Sequence, residues 1–517
     1  MNKNKFLTGV LTAFMLVASM TSCEDYLDVN TDPNNPTEVT PDLILPAGQA
    51  YTAFYLHGDR RLNHLGNMFM YNWAESNGFS WYNDEYQYLV TTTFYATLFD
   101  QAYTRALKQY HLLTSLEGPE NGNYVAIGKI MKAYHFQILV DLYGDIPYFE
   151  ALGRSLNATP KYDGAQTVYD DLLVQLTEAI ELIKATADES TAVEVGGDDV
   201  MFEGDMTEWI KFANTIKVRI LTRMSGKSVA ATANQAKITA ELATIESEGT
   251  GFITTDVLIN PGYAAENNKQ NPFWESFGKA ADGSETQNFR ATAATAYILD
   301  VLKSKNDNRI GRLYEFESEV NGYLGVDQIA EPGPEYSHQF VSNIGPGLLK
   351  GANMGSNIFT LAESKFNLAE LALKGLYGGD AQSLYEAGID ASFAYLGATG
   401  SVDYYSNVDD PETEDENEDA YNNTGIKNTE WASAANAEEQ LEAIIFQKWI
   451  GVNGITAEQS WFDYSRTGYP RNLPIADEAS SDDRPVRLFY PASERSSNAG
   501  NVPAQPNAFT DKIFWAQ

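Results

Sequence analysis

The stretch YVAIGKIMKAYHFQILVDLY, residues 124–143, decides the fold class, because it is apolar almost all round over the length of a long helix. Such a pattern is typical of a helix buried inside a large protein. The sequence GDIP follows at residues 144–147 and is predicted to end this helix, since glycine and proline both disfavour its continuation. Tyr134, Phe136 and Tyr143 are accordingly predicted to lie in the core.

Helical periodicity spreads outward from this segment along the chain. Apolar residues recur at helical spacing in residues 101–116, 166–185, 208–224, 359–376, 381–396 and 438–450. The helix at 124–143 is predicted to pair with 166–185, and 359–376 with 381–396, as antiparallel units of the tetratricopeptide kind. Strand signals are short and fall at 89–93, 251–255 and 487–490. We therefore predict an all-α fold with helix pairs, long loops and a few short β-hairpins.

Cys23 is the only cysteine among the 517 residues and directly follows a short apolar leader. Two lysines precede an apolar run at residues 6–20, which is typical of an export signal and is shorter than the ~20 residues that span a bilayer. A lone cysteine cannot form an internal disulfide. We therefore predict that residues 1–22 are a lipoprotein signal peptide and that the Cys23 thiol takes a lipid such as palmitate. The alternative is an ordinary secretory signal followed by a coincidental cysteine.

The next residues connect this predicted anchor to the body. Glu24 and Asp25 form an early acidic pair of the kind that, in some outer-membrane lipoproteins, marks export to the cell surface. Residues 24–49 contain four prolines among Asn, Asp and Thr, so residues 23–49 are predicted to be a lipidated extended tether rather than a helix. Residues 50–517 are predicted to form one binding domain.

Composition excludes several classes of function. The net charge of −36, from 35 basic and 71 acidic residues, repels phosphate backbones and argues against nucleic acid. It also disfavours anionic ligands unless a basic pocket is hidden. Five histidines and a lipidated cysteine provide no zinc constellation. The acidic run at 409–419 offers carboxylates to calcium, but without the spacing of a defined calcium loop. No cofactor or metal is predicted.

Aromatic residues in loops are the candidate ligand contacts. Residues 72–88, 260–288 and 403–423 lack helical periodicity, and long loops of this kind are commonly functional. The apolar C–H face of a sugar packs on an indole or phenol, while a nearby amide bonds the hydroxyls. The candidate ligand-binding residues are Trp81, Tyr82, Asn83, Tyr86 and Trp274. Secondary candidates are Tyr88, Asp84 and Asn271. The alternative is that these aromatic rings pin their loops to the core.

Several segments, in order along the chain, resemble the SusD/RagB family of outer-membrane nutrient-binding lipoproteins. LDVNTDPNNPTEVTPDLILPAGQ is similar to the family's segment after the lipid anchor, and AYHFQILVDLYGDIPYFEAL to its helix that ends in YGDIP. FTLAESKFNLAELALKG and AQSLYEAGIDASFAYLG resemble its next helix pair. QKWIGVNGITAEQSWFDYSRTGYP and RLFYPASERSSN resemble its C-terminal signature. In the order in which they are quoted, these six segments begin at residues 27, 133, 359, 381, 447 and 487.

The resemblance implies a SusD-like fold of four tetratricopeptide-like helix pairs with loops packed on one side. It implies a lipid-anchored protein of the cell outer membrane that faces the exterior and serves as the lid of a SusC-like TonB-dependent transporter. Such a lid binds an oligosaccharide, or in some members a peptide, and passes it to the transporter without catalysis. The family places its ligand aromatics in variable loops, so the resemblance does not assign residue numbers in this chain.

Two other classes of function remain open. A surface glycoside hydrolase needs two carboxylates about 5–10 Å apart, and a chain with 71 acidic residues provides such pairs without any implication of catalysis. The sequence contains no Gly-x-Ser-x-Gly, no His-Glu-x-x-His and no phosphate loop. The second class is a periplasm-facing helical scaffold that binds only proteins.

Overall fold

The structure is a computed structural model, and it describes residues 40–153, 157–230, 234–316, 322–406, 431 and 434–517. Helix accounts for 51% of the structure and strand for 6%, in two small sheets. The predicted all-α class with long loops is therefore confirmed. Cys23, most of the predicted tether and the acidic run at 409–419 lie outside the described residues.

The helices of the first half are α1 (Pro41–His57), α2 (Leu62–Phe69), α3 (Asn83–Tyr86), α4 (Thr97–Gln101), α5 (Leu107–Thr114), α6 (Gly122–Tyr143), α7 (Ala165–Thr186), α8 (Met206–Met224) and α9 (Gln235–Glu248). A π-helical turn, Ala102–Ala106, joins α4 to α5. The helices of the second half are α10 (Pro272–Phe277), α11 (Gln287–Ala291), α12 (Ala296–Ser304), α13 (Ile310–Leu313), α14 (Leu361–Leu373), α15 (Ala381–Leu396), α16 (Ser401–Ser406), α17 (Ala437–Val452), α18 (Glu458–Thr467) and α19 (Ala492–Ser497).

The long helices pack one against the next in chain order. Helix α1 contacts α5, α5 contacts α6, and α6 pairs with α7. Helix α8 then joins α7 to α14, which pairs with α15 and also contacts α17. Both predicted helix pairs, α6 with α7 and α14 with α15, are thus confirmed. Helix α18 finally packs on α2 and brings the C-terminal part of the chain back to the N-terminal part.

Local sequence sets the ends of these helices. The Asp205 carboxylate accepts hydrogen bonds from Thr207 N and Glu208 N at the start of α8, as expected of an N-cap residue. Gly144 ends α6 at φ +77°, a conformation that favours glycine. Asp145 then accepts a hydrogen bond from Ala165 N at the start of α7 over 2.9 Å. The GDIP segment is therefore a helix stop and connector, as predicted.

The strands differ from the predictions. They are β1 (Trp73–Glu75), β2 (Val257–Ile259), β3 (Thr292–Ala294) and β4 (Ser356–Phe359). Strand β1 pairs antiparallel with β3, and β2 with β4, so each sheet joins segments far apart in the sequence instead of forming a hairpin. The predictions of strands at 89–93, 251–255 and 487–490 are wrong. Short β-branched runs do not distinguish a strand from an extended loop.

The predicted tether also ends earlier than expected, because α1 begins at Pro41. The prediction of a non-helical segment is therefore wrong for residues 41–49. Pro41 occupies the first turn, where its missing N–H costs little. Pro46 lies inside the helix, and burial of Ile44 and Leu45 against the core outweighs its unfavourable propensity.

Burial identifies the core. Tyr134, Phe136 and Tyr143 are buried as predicted. Arg466 is buried and paired with Glu370 over 2.5 Å. None of the helices in the described ranges is both long and apolar enough to cross a bilayer.

Candidate functional site

The predicted ligand contacts flank one buried aromatic cluster. The ring of His64 lies between those of Tyr82 and Phe277, with centroid distances of 4.8 and 5.8 Å. Trp73 packs on Phe273 and Phe277, with centroid distances of 6.3 and 5.4 Å. Trp81 is the chain neighbour of Tyr82, and Trp274 is that of Phe273. The fold therefore brings the two loops that were singled out in the sequence to the same aromatic cluster.

Tyr82 and Tyr86 belong to the core. Each is only 1% exposed, and the Tyr82 hydroxyl lies 3.0 Å from the hydroxyl of Thr292 on β3. Tyr88 is buried as well. These tyrosines pin the loop to the body, which is the alternative that the sequence left open. They are therefore corrected from candidate ligand contacts to structural residues.

Trp81 is the exposed aromatic residue of this segment. Its side chain is 39% exposed, and its indole meets the half-buried ring of Phe79 edge to face at 4.9 Å. Trp81 N donates a hydrogen bond to Glu75 Oε1 over 2.7 Å, and Trp81 O accepts one from Arg60. The backbone is thus held on both sides of the residue while the indole faces outward.

A network that begins at the partly exposed Arg60 and continues into the core supports these two contacts. Arg60 lies 4.0 Å from the carboxylate of Glu85. Glu85 accepts a hydrogen bond from the Tyr95 hydroxyl over 2.9 Å, and this hydroxyl is 2.6 Å from His64 Nδ1. The network connects Arg60, which contacts the backbone of Trp81, to the aromatic cluster around His64. Trp81 is therefore presented by a fixed frame, which is the arrangement expected of a preorganised binding residue.

Burial shifts the protonation of this frame. Desolvation raises the pKa of Glu75 to about 7, although the hydrogen bonds from Trp81 N and Tyr82 N oppose the shift. Desolvation also raises the pKa of Glu85, opposed by the charge of Arg60. The pKa of His64 falls to about 3 because of burial and the nearby Arg60. Burial therefore disfavours the charged form of all three groups.

Trp274 lies on the short helix α10, within the second of the two loop segments, residues 260–288. Asn271 caps this helix and accepts hydrogen bonds from Phe273 N and Trp274 N over 2.9 and 3.1 Å. The Asn271 amide also donates to Ser356 Oγ on β4 over 2.9 Å. Asn271 is buried, so its role is structural, whereas the half-buried Trp274 keeps part of its indole at the surface.

Asn83 is half-buried at the start of α3. Its Oδ1 atom is buried and has no hydrogen-bond partner within the described ranges. Asn83 stays a predicted ligand contact, together with Trp81 and Trp274. Sequence reasoning missed Glu75 and Arg60, because a contact to backbone groups leaves no motif. It also missed Phe79, which packs on the indole of Trp81.

A separate cleft of about 470 Å³ lies between α7, α8 and α9. Its wall contains the buried ammonium of Lys217, which donates to Thr177 Oγ1 and lies 3.4 Å from Glu241. Lys184 pairs with Glu248 over 2.8 Å on the same wall. These charges are paired within the protein, and we assign no ligand to this cleft. Across the described part of the chain, no group of three or more His, Cys, Asp or Glu is placed to hold a metal ion.

Comparison with solved structures shows what this fold is similar to. A chitin-binding SusD homologue from Flavobacterium johnsoniae superposes with a TM-score of 0.74 at 23% identity, covering 92% of this chain and 98% of that one. A SusD-like protein from Bacteroides thetaiotaomicron gives a TM-score of 0.70 at 22% identity, with 92% and 99% covered. A SusD homologue from Bacteroides uniformis gives 0.70 at 23% identity, with 93% and 100% covered.

The curated proteins contain no match to this chain. Residues 33–491 match a SusD-like family that is described as starch-binding and associating with the outer membrane. This match includes both tetratricopeptide-like helix pairs, the Trp81 loop and the Trp274 loop. The chain therefore belongs to the SusD-like family.

Proposed function

We propose that this protein is a non-catalytic surface lipoprotein that binds oligosaccharides and delivers them to a SusC-like TonB-dependent transporter. In this proposal Cys23 carries the lipid, and the body faces the exterior of the cell outer membrane. Membership of a family described as starch-binding and associated with the outer membrane supports the class of ligand and the location. The chitin-binding relative supports the same class.

The observation that carries the proposal is the fixed and outward-facing Trp81. Its backbone is held by Glu75 and Arg60, while its indole is 39% exposed beside Phe79. A flat apolar ring with little conformational freedom suits the C–H face of a sugar, because little ordering is needed on binding. Trp274 and Asn83 are the further proposed contacts.

The carboxylates near Trp81 support a binding role over hydrolysis. Glu75 and Glu85 are fully buried, and both are engaged in holding the loop and its network. A glycosidase needs two carboxyl groups on either side of the scissile bond. Glu75 and Glu85 lie beneath the backbone and do not reach a sugar on the indole, which favours binding over hydrolysis by this pair.

The test is titration of the mature protein with maltooligosaccharides, chitooligosaccharides and a peptide library, followed by analysis of the bound ligand. Trp81→Ala should weaken the ligand found by roughly tenfold or more, as the loss of a central aromatic contact commonly does. Phe149→Ala is the matched control, because Phe149 is also an exposed aromatic residue, at 57%, and packs on Tyr148 in the segment that follows α6.

Equal affinity of the wild type and Trp81→Ala would remove Trp81 from the site. Cleavage of the ligand during the titration would support the hydrolase alternative, and exclusive binding of peptides would change the class of ligand. Protease treatment of intact cells tests the location, since complete protection of the protein would contradict an exterior-facing lid.

A further inference from the structure

An apolar stripe runs along the outer side of helix α1. Leu43 is 60% exposed and Phe54 is 41% exposed, and the half-buried Ala47 lies between them. The spacings of four and seven residues place all three on one side of the helix. Exposed apolar side chains that are aligned on one helix face indicate a surface that contacts a lipid bilayer or another molecule.

Basic groups border this stripe. The Arg61 guanidinium lies 4.9 Å from the centre of the Phe54 ring. The Arg105 guanidinium lies 5.4 Å from the centre of the Tyr51 ring. Lys108, one turn further along the neighbouring helix α5, is exposed. We call Leu43, Ala47 and Phe54 the apolar stripe, and Arg61, Arg105 and Lys108 the basic rim.

The charge of this face departs from that of the whole chain. Acidic residues outnumber basic ones by 71 to 35 in the sequence. Helix α1 contains a single acidic residue, Asp42, at its first turn. The neighbouring segment, residues 102–114, contains none. Asp59 lies two residues before Arg61, and its charge acts on Arg61. An anionic surface would therefore repel most of the body and accept this face.

We propose that the apolar stripe and basic rim dock on the anionic lipid headgroups of the membrane that holds the Cys23 anchor. This inference rests on the proposed lipidation of Cys23. A helix with an apolar stripe and a basic border is suited to the plane of a bilayer interface, where apolar side chains enter the headgroup region and arginines bind phosphates. The docked face would fix the orientation of the body above the bilayer.

The length of the connection keeps this face close to the bilayer. Seventeen residues, 24–40, separate Cys23 from the start of α1, and they reach at most ~60 Å. A surface on so short a tether meets the bilayer at a high effective concentration, so weak contacts suffice. A stable protein interface buries about 1,200–2,000 Å², which three apolar side chains on one helix do not provide by themselves.

The experiment uses the mature lipoprotein reconstituted into vesicles of phosphatidylcholine, with or without phosphatidylglycerol. Ala47→Cys provides one free thiol for an environment-sensitive dye, because the Cys23 thiol carries the lipid in the proposed form. Val174→Cys is the matched control, since Val174 is 49% exposed on α7, which α5 and α6 separate from α1. Quenching of the dye by neutral acrylamide is the readout.

We expect phosphatidylglycerol to lower the quenching at position 47 by roughly twofold or more, with no change at position 174. Arg105→Glu with Lys108→Glu should restore the quenching at position 47. The control pair, Lys161→Glu with Lys512→Glu, changes the net charge equally at exposed sites elsewhere and should leave the protection intact.

Equal quenching at positions 47 and 174 on vesicle-bound protein would overturn the inference and leave the lipid anchor standing. Protection that is independent of phosphatidylglycerol and of charge reversal would also overturn it, since the chain itself or a second copy would then cover the stripe. A protein that fails to float with any vesicle lacks the anchor, which would overturn the proposed lipidation and the docking together.

Discussion

Glu75 Oε1 accepts a hydrogen bond from Trp81 N over 2.7 Å. Glu75 is the last residue of β1, and its register opposite Thr292 on β3 is fixed by the sheet. The position of the exposed indole therefore depends on a strand pair formed by segments more than 200 residues apart. This arrangement connects the small sheet to the proposed ligand surface, although the fold is overwhelmingly helical.

The first prediction concerns the pH dependence of stability. Burial raises the pKa of Glu75 from 4.5 to about 7. Between pH 4.5 and 7 the folded protein therefore binds a proton at Glu75 that the unfolded chain does not bind. The contribution of this proton to the free energy of unfolding is fully present below pH 4.5 and is lost as the pH rises through 7. Glu75→Gln keeps an acceptor for Trp81 N without this titration.

The free energy of unfolding of Glu75→Gln, relative to that of the wild type, should therefore rise as the pH increases from 5 to 8. Urea unfolding of both proteins at several pH values measures this difference. The nearby Glu85 and Arg60 are unchanged in both proteins, so their titration contributes mainly a common background. A difference that is constant across this range would contradict the assignment of the proton to Glu75.

The second prediction separates positioning of the loop from global stability. Arg60 donates to Trp81 O and lies 4.0 Å from Glu85, while its side chain is 44% exposed. Arg60→Met should weaken glycan binding, because the carbonyl of Trp81 loses its partner. Stability should change by less than ~1 kcal/mol, as is usual for a partly exposed ion pair.

Arg61→Met is the matched control for this change. The Arg61 guanidinium donates instead to Thr97 Oγ1 over 2.9 Å and to Gln101 Oε1 over 3.2 Å. Calorimetric titration with the same soluble glycan should give wild-type affinity for this variant. Equal losses of affinity for Arg60→Met and Arg61→Met would mean that the effect is not specific to the Trp81 carbonyl.

The third prediction concerns the ion pair that joins α8 to α14. Arg219 Nε and Nη2 donate to the two carboxylate oxygens of Glu363 over 2.7 and 2.9 Å, with both side chains buried. Glu363→Gln leaves the Arg219 charge without its carboxylate. The free energy of unfolding should fall by about 3–5 kcal/mol, the usual loss when one member of a buried pair is removed.

The surface pair of Lys269 and Glu266 provides the comparison. These groups are 2.6 Å apart and more than half exposed, so Glu266→Gln should change the free energy of unfolding by less than ~0.5 kcal/mol. Urea unfolding measures both variants. The double variant Arg219→Met with Glu363→Leu should recover much of the lost stability. Similar losses for Glu363→Gln and Glu266→Gln would show that burial does not determine the strength of the pair.

The sequence predicts the helices well because apolar periodicity is a local property. Residues 124–143 and 381–396 each carry the complete pattern within one segment, and both are helical. The GDIP stop is equally local, since a glycine and a proline act on their own backbone. These features need no information from elsewhere in the chain.

The candidate site depends on contacts that are distant in the sequence. Trp81 and Tyr82 are adjacent aromatic residues in one loop, yet one is exposed and the other is buried. The difference arises because Thr292 bonds the Tyr82 hydroxyl and Phe277 completes the cluster around His64. No local pattern distinguishes the two side chains. The sequence therefore predicts the right loop but not which of its rings faces solvent.

The last prediction concerns the close approach of α2 to α18. A Cβ added at Gly66 would lie 2.1 Å from Glu458 N and 2.7 Å from Ala457 O, both of which are backbone atoms. Asn63 and Asn67 hold this contact on either side through hydrogen bonds to Gly454 O and Gly454 N, over 2.9 and 3.0 Å. The two helices cannot separate without the loss of these bonds.

Gly66→Ala should therefore lower the free energy of unfolding by about 3 kcal/mol or more, the upper range for overpacking. Gly197→Ala is the control, because a Cβ there has no atom within 4 Å, and it should leave stability unchanged or raise it by ~0.4–1 kcal/mol. Urea unfolding measures both variants. A Gly66→Ala protein as stable as Gly197→Ala would show that α2 and α18 can move apart at little cost, which would contradict their role in joining the two ends of the body.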